Sequence, residues 1–156
     1  MLRGTNIADI KSSEERSRNM AKIQSKDTKP EVYIRKKIYA LGYRYRKNTS
    51  AVFGHPDVWI SRYHVAVFVN GCFWHRHAGC KYAYTPKSRI EFWADKFKRN
   101  MERDKKVREQ LEEQGIRMLV IWECTVKKMI RSEDVQNEML CKICEFIRSE
   151  EDYLVL

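Results

Sequence analysis

A chain of 156 residues with 43% hydrophobic and 33% charged content fits one domain able to bury its own core, and it excludes a long disordered polymer. No apolar run approaches the roughly 20 residues that cross a bilayer, and the first residues carry no apolar signal region, so the expectation is a cytoplasmic protein with no membrane partner. The net charge of +10 is uneven, with +8 in residues 1–49, +6 in residues 50–110 and −4 in residues 111–156; this suits a polyanion held by the front two-thirds, or a merely solvated surface.

Residues 1–11 read as loose. Ser12 with Glu15 has capping-box spacing and opens a basic helix to about Gln24, decorated by Arg16, Arg18, Lys22 and Lys26. Its large apolar residues are Met20 and Ile23, so it is either an arm that orders on a partner or a frayed end. Residues 1–27 are therefore set apart from a domain over 28–156. Thr28-Lys29-Pro30-Glu31 is a second capping box with Pro in the first turn. Ile34, Ile38 and Leu41 recur at helical spacing until Gly42. Residues 43–47 alternate and predict a strand. Strands are also predicted at Asp57–Ile60 and Val65–Val69, joined by Ser61-Arg62-Tyr63, the second being a continuous apolar run suited to the centre of a sheet.

Residues 70–87 read as a long loop. Ser88 with Glu91 predicts a cap for a long helix ending near Gln114, with Trp93, Phe97, Met101, Arg108 and Leu111 on one face. A strand follows at 116–122. Ser132 predicts a last helix with the stripe Val135, Met139, Ile143 and Phe146/Ile147. The sum is a single α/β domain, a central mixed sheet flanked by helices.

Five cysteines in a chain of this kind are expected to be thiols or metal ligands. Cys72, His75, His77 and Cys80 fall within nine positions, and Cys124 directly follows a strand. Zinc takes four soft or borderline ligands in a tetrahedron. Cys72, His77, Cys80 and Cys124 make such a set, pinning the loop to a strand end; spacing alone leaves His75 as an alternative fourth ligand. An imidazole spared from zinc is free for proton transfer near neutral pH. Cys141 and Cys144 lie in an apolar helical stripe and are read as core.

Asp57, at a strand start after Pro56, offers a hard oxygen suited to magnesium beside a phosphate. Asp104 falls on the apolar face of the long helix, where it either pairs with Arg108 or Lys105 or orients an imidazole such as His75. Glu31 is a capping residue or a further site carboxylate. Phe73, Trp74 and Trp93 either cover a core edge or stack on bases.

The stretches Arg16-Ser17-Arg18-Asn19-Met20, Gly54-His55-Pro56-Asp57, Asn70-Gly71-Cys72-Phe73-Trp74-His75-Arg76-His77, Glu91-Phe92-Trp93, Asn100-Met101-Glu102-Arg103-Asp104 and Trp122-Glu123-Cys124 carry a resemblance. In order and spacing the chain resembles the very-short-patch repair (Vsr-type) DNA mismatch endonucleases, up to about Lys128. The resemblance implies a restriction-endonuclease-like fold with one structural zinc held by Cys72, His77, Cys80 and Cys124. It implies magnesium-dependent nicking of duplex DNA on the 5′ side of the thymine in a T·G mismatch left by 5-methylcytosine deamination. Asp57 matches a magnesium ligand, with the backbone carbonyl of Val69 as a further oxygen. His75 matches the catalytic histidine, Asp104 its acidic neighbour, and Glu31 an acidic residue reaching water on the metal. Phe73, Trp74 and Trp93 match an aromatic wedge, and the first helix, with Arg16, Arg18 and Lys22, matches a DNA clamp.

Mismatch-repair proteins are the implied partners of a monomer that is nucleoid-associated when on DNA. Two departures stand out. Asn70 replaces a second histidine of some relatives, and one extra residue separates His77 from Cys80 at Ala78-Gly79. Two rival readings remain: a restriction-type nuclease without mismatch preference, and a non-catalytic zinc-stapled DNA-binding module.

Overall fold

The computed structural model describes residues 12–156; the expectation for residues 1–11 lies outside them. Helix α1 (Ser13–Ala21) starts at Ser12, whose hydroxyl accepts from the Glu15 N–H at 3.1 Å while the Glu15 carboxylate accepts from the Ser12 N–H at 3.0 Å. The capping box is complete, but the helix ends three residues before Gln24. Helix α2 (Lys29–Ala40) buries Ile34 and Ile38 and is capped by Thr28.

Strand β1 (Val58–Ile60), a 3-10 turn at Ser61–Tyr63, and β2 (Val65–Asn70) form a hairpin. Helix α3 (Ile90–Glu113) follows, then β3 (Arg117–Trp122), α4 (Glu123–Arg131), α5 (Glu133–Arg148) and β4 (Tyr153–Val155). The sheet order is β1-β2-β3-β4, with β1 antiparallel to β2 and the β2/β3 and β3/β4 pairs parallel. The apolar run of β2 lies inside the sheet, as its composition predicts.

Strand periodicity sorts the core into two layers. Val65, Val67, Leu119 and Ile121 face α2, α4 and α5, where they meet Ile34, Ile38, Val126, Met129, Ile143 and Phe146. Ala66, Met118 and Val120 face the other way, onto Val107 and Leu111 of α3. The result is one domain with a mixed sheet between helical layers.

Several expectations need correction. Residues 43–47 form no strand: a lone bridge joins Arg46 to Trp59, while Tyr43 turns inward as core. Ser88 does not cap α3; Arg89, in the left-handed region at φ 51°, precedes the first helical residue with no side-chain cap. The buried face of α3 is Phe97, Val107 and Leu111, whereas Met101 and Arg108 are exposed. Cys141 is exposed, and of the pair Cys141 and Cys144 only Cys144 packs against the core. Helix α4 and strand β4 were not foreseen.

Candidate active site and metal centre

The site is assembled at one end of β2. Asp57 immediately precedes β1, and its Oδ2 accepts a 2.7 Å hydrogen bond from the Val69 N–H near the end of β2. That bond crosses the hairpin, anchors the carboxylate and leaves Oδ1 free of it. Burial, reinforced by the nearby Glu31 charge, pushes the Asp57 carboxyl up to about 6, against the opposing pull of the Val69 N–H, Arg35 and His75. Val69 is tied to Asp57 through its N–H and lines the same groove.

Glu31 sits in the first turn of α2 and is 6% exposed. Its Oε1 accepts from the Thr28 hydroxyl at 2.8 Å, whereas its Oε2 is buried without a hydrogen-bond partner. The capping box expected here is thus only half made: Thr28 caps the Glu31 N–H, while the Glu31 carboxylate takes the Thr28 hydroxyl and not its backbone N–H, and its second oxygen is left over. An orphaned carboxylate oxygen at such burial is costly unless a cation or donor meets it.

His75 donates from, or accepts at, Nδ1 to Asp104 Oδ2 at 2.6 Å. Asp104 therefore pairs with the imidazole, and with neither Arg108 nor Lys105; Lys105 instead reaches Glu109. One groove of about 590 Å³ is lined by Glu31, Asp57, Val69, Asn70, His75 and Asp104. An adjoining groove of about 560 Å³ shares Arg103, adds Trp74, Lys96 and Asn100, and runs beneath Met20 and Ile23 at the end of the first helix. On that helix Arg18 and Lys22 are exposed and Arg16 is half-buried.

Behind the groove, Cys72, His77, Cys80 and Cys124 place their ligand atoms within 4.8 Å of one another. His77 Nδ1 lies 3.6 Å from Cys72 Sγ and 3.4 Å from Cys124 Sγ. Tetrahedral zinc with its usual bond lengths requires an N···S edge of about 3.6 Å, so the donor set fits such an ion. His77, and not His75, completes the set. The His77 ring stacks flat on Trp122, centroids 4.1 Å apart and planes 1° apart. Burial lowers the His77 pKa, which favours the neutral, ligating form. Cys72 is fully buried, and burial pushes its thiol up to about 12. Cys124 reaches the cluster because α4 begins directly after β3, placing the thiol in the first turn.

The aromatics form a packed group. Phe73 touches Trp74, Tyr84, Trp93 and Phe97 with centroids 5.0, 5.1, 5.3 and 5.2 Å away. Phe97 is buried, Phe73, Trp74 and Trp93 are half-buried, and Tyr84 and Phe92 are exposed. The group covers the start of α3 and also presents aromatic surface at the mouth of the groove.

Three contributors escaped the sequence reading. Arg35 is 5% exposed, bonds Asp27 Oδ1 at 2.5 Å and sets a positive charge near Asp57. Its signal was available: a charged residue one turn after Glu31 and flanked by Ile34 and Ile38 lies on a core face. Arg76 stacks 4.1 Å over Phe97 and bonds the Tyr84 carbonyl at 2.9 Å, bracing the loop. Asn100 donates to the Trp74 carbonyl at 2.9 Å.

The sequence pattern of the family described as "DNA mismatch endonuclease Vsr" matches residues 8–81. A type II nicking enzyme of Neisseria meningitidis serogroup A, V.NmeAIP, is 41% identical over 137 residues, covering 88% of this chain and 97% of that protein. The DNA mismatch endonuclease Vsr of Escherichia coli K12 is 35% identical over 121 residues, 78% of this chain and 77% of its own length. A type II nicking enzyme of Haemophilus parainfluenzae, V.HpaIIP, is 42% identical over 102 residues, 65% and 72% of the two chains. With the orphaned Glu31 oxygen, the His75–Asp104 pair and the thiol–imidazole cluster in place, these likenesses make the chain a member of the Vsr family of DNA mismatch endonucleases.

Proposed function

We propose that the protein nicks one strand of duplex DNA on the 5′ side of the thymine in a T·G mismatch, by magnesium-dependent hydrolysis in a restriction-endonuclease-like fold stapled by zinc. The observation that carries this reading is the convergence of Asp57, Glu31 and the His75–Asp104 pair on one groove.

Asp57 Oδ1, the Val69 carbonyl and the unpartnered Glu31 Oε2 are the oxygens that would hold magnesium. When bound there, magnesium supplies positive charge for the oxygens of the scissile phosphate and leaving group. His75 acts as the proton acceptor for the attacking water. Its Nδ1 is engaged by Asp104, so Nε2 is the atom free to take the proton, and Asp104 fixes the tautomer and stabilises the imidazolium that forms. Asn70 lines the groove, where its amide can hydrogen-bond phosphate or water but takes no part in proton transfer at neutral pH. One histidine therefore carries the acid–base step.

Phe73, Trp74 and Trp93 select the mismatch. A poorly stacked T·G step costs less to open than a matched one, so aromatic surface beside the groove favours it. Arg16, Arg18 and Lys22 hold the duplex from the arm formed by residues 1–27, while residues 28–156 carry the chemistry. Zinc at Cys72, His77, Cys80 and Cys124 keeps the 71–89 loop in place.

The test is a nicking assay on otherwise identical T·G and C·G duplexes, with Asp57→Ala and His75→Ala variants alongside the parent. The expected result is magnesium-dependent cleavage of T·G DNA that both changes abolish. Equal cleavage of both duplexes sinks the mismatch preference, and nicking that survives both changes sinks the assigned chemistry.

A further inference from the structure

At the opposite end of β1 and β2 lies a second polar pocket, outside the catalytic groove. It has a volume of about 270 Å³ and forms where the end of α2, the end of β1 and the end of α5 meet; Tyr43, Arg44, Arg62, Tyr63 and Arg148 line it, and no carboxylate does. β2 runs from Val65 at this end to Asn70 at the groove, a distance of about 17 Å at strand rise.

Two independent observations mark it as built for a ligand. The first is charge. Arg44, Arg62 and Arg148 are all exposed, and among the described residues none is paired with a carboxylate. Directly behind them Arg117 adds a fourth guanidinium, satisfied by the carbonyls of Tyr63, Phe146, Ile147 and Ser149 at 2.6–2.9 Å and by no acid. Arg44 and Arg62 rest over the Tyr39 and Tyr63 rings, 4.2 and 5.8 Å from the centroids, and an anion joining these cations would relieve their mutual repulsion.

The second is an orphaned donor. Tyr43 is 6% exposed, and its hydroxyl is buried with no hydrogen-bond partner. The Arg148 guanidinium and the Cys144 thiol lie beside that hydroxyl, close enough for Arg148 to interact with it, but neither meets it at good hydrogen-bond geometry. The Tyr43 ring is held edge-on against Tyr63, centroids 5.5 Å apart, so it cannot easily turn the oxygen out to solvent. A buried hydroxyl usually finds a partner.

We infer that this pocket binds a phosphate group, with the Tyr43 hydroxyl donating to one oxygen and Arg44, Arg62 and Arg148 gripping the others. Guanidinium forks match the paired oxygens of phosphate, and the volume admits a phosphate with its neighbouring atoms but nothing much larger. The phosphate comes either from a small soluble molecule or from the backbone of a duplex that extends past the nick site.

The first experiment titrates inorganic phosphate into the magnesium-free, zinc-loaded full chain at constant ionic strength, with chloride as control, followed by nuclear magnetic resonance of the arginine side chains and Tyr43. Saturable shifts confined to this pocket are expected. The Arg62→Gln/Arg148→Gln double change should weaken binding tenfold or more and Tyr43→Phe at least threefold. Arg62→Lys/Arg148→Lys should keep part of it, and His75→Ala should leave it unaltered. No saturable response, or unchanged affinity in both the folded double variant and the folded Tyr43→Phe protein, overturns the proposal.

All three arginines are exposed and Tyr43→Phe keeps the ring, so at least the single changes should fold. The second arm measures duplex affinity against salt for the same variants. Loss of about one unit of salt slope per removed phosphate contact identifies the DNA backbone as the source. Unaltered DNA binding with lost phosphate binding identifies a soluble phosphate.

Discussion

Asp57 is the residue on which burial and function pull against each other. Its carboxyl titrates near 6 in the folded, metal-free chain against 3.8 for an ordinary aspartate. The folded state therefore holds the proton more tightly than the unfolded one. That stabilisation is complete below about pH 4 and is lost as pH rises through 6, about 3 kcal/mol in all. Chemical denaturation in chelator should show stability falling across pH 4–7, and Asp57→Asn should flatten that stretch; an unchanged slope would mean the carboxylate is not strained by burial. Magnesium at pH 7.5 should raise the melting temperature of the parent but not of Asp57→Asn.

Asp104 belongs to the same scale. Asp104→Asn keeps the shape beside His75 but no longer stabilises an imidazolium, so kcat should drop by about 10²-fold or more. KM should stay close to the parent value, which single-turnover nicking at several DNA concentrations would show. The imidazole partner of Asp104 was open in the sequence, because a carboxylate on an apolar helical face has two outlets, a local ion pair or a distant partner. Spacing cannot choose between them; the closing of a loop onto α3 does.

At the scale of elements, Gly54 carries the packing of the 50s loop onto α3. Its φ is 84°, and a Cβ there would meet Val107 Cγ1 at 2.6 Å. Gly54→Ala should cost about 1–3 kcal/mol, and Val107→Ala should recover only the part due to the clash, as urea melts of the single and double variants would reveal.

The loop at 71–89 depends on a different support. Elemental analysis should find one zinc per chain, and Cys124→Ser should lower the melting temperature and open this loop to limited proteolysis while the sheet stays intact. Elements with strong periodicity, such as α2, β2 and β3, were legible because burial on one or two faces leaves a repeat in the sequence. Helix α4 was missed although Val126 and Met129 stand at helical spacing: it has nine residues and begins directly after β3 with no side-chain cap to mark its start. Strand β4 is three residues long and alternates across the sheet, with Leu154 in one core layer and Tyr153 in the other. Tyr43–Lys47 alternates for another reason: Tyr43 and Tyr45 point inward from an irregular segment, so alternation there reports burial without a ladder.

For the molecule as a whole, charge and groove share a side. The exposed Arg18 and Lys22 lie on the helix whose end overhangs the catalytic groove. Replacing both with Ala should weaken duplex binding about equally for T·G and C·G sequences and lower the salt slope by about two, whereas Trp93→Ala should weaken the preference for the mismatch. A sequence-dependent loss in the first case would assign recognition to the arm. The basic front two-thirds of the chain foretold a polyanion, but not that uncompensated arginines also gather at the far end of β1 and β2. Those residues, Arg44, Arg62 and Arg148, are scattered along the chain and meet only when α2, β1 and α5 converge.

His75 is threaded between Cys72 and His77 on a single turn, its N–H held by the Gly71 carbonyl at 3.1 Å and that of His77 by the Cys72 carbonyl at 3.0 Å. Proton transfer and thiol chemistry therefore share one short piece of backbone. A change that frees Cys72, such as Cys72→Ser, should therefore also loosen the hold of Asp104 on His75 without any contact inside the groove.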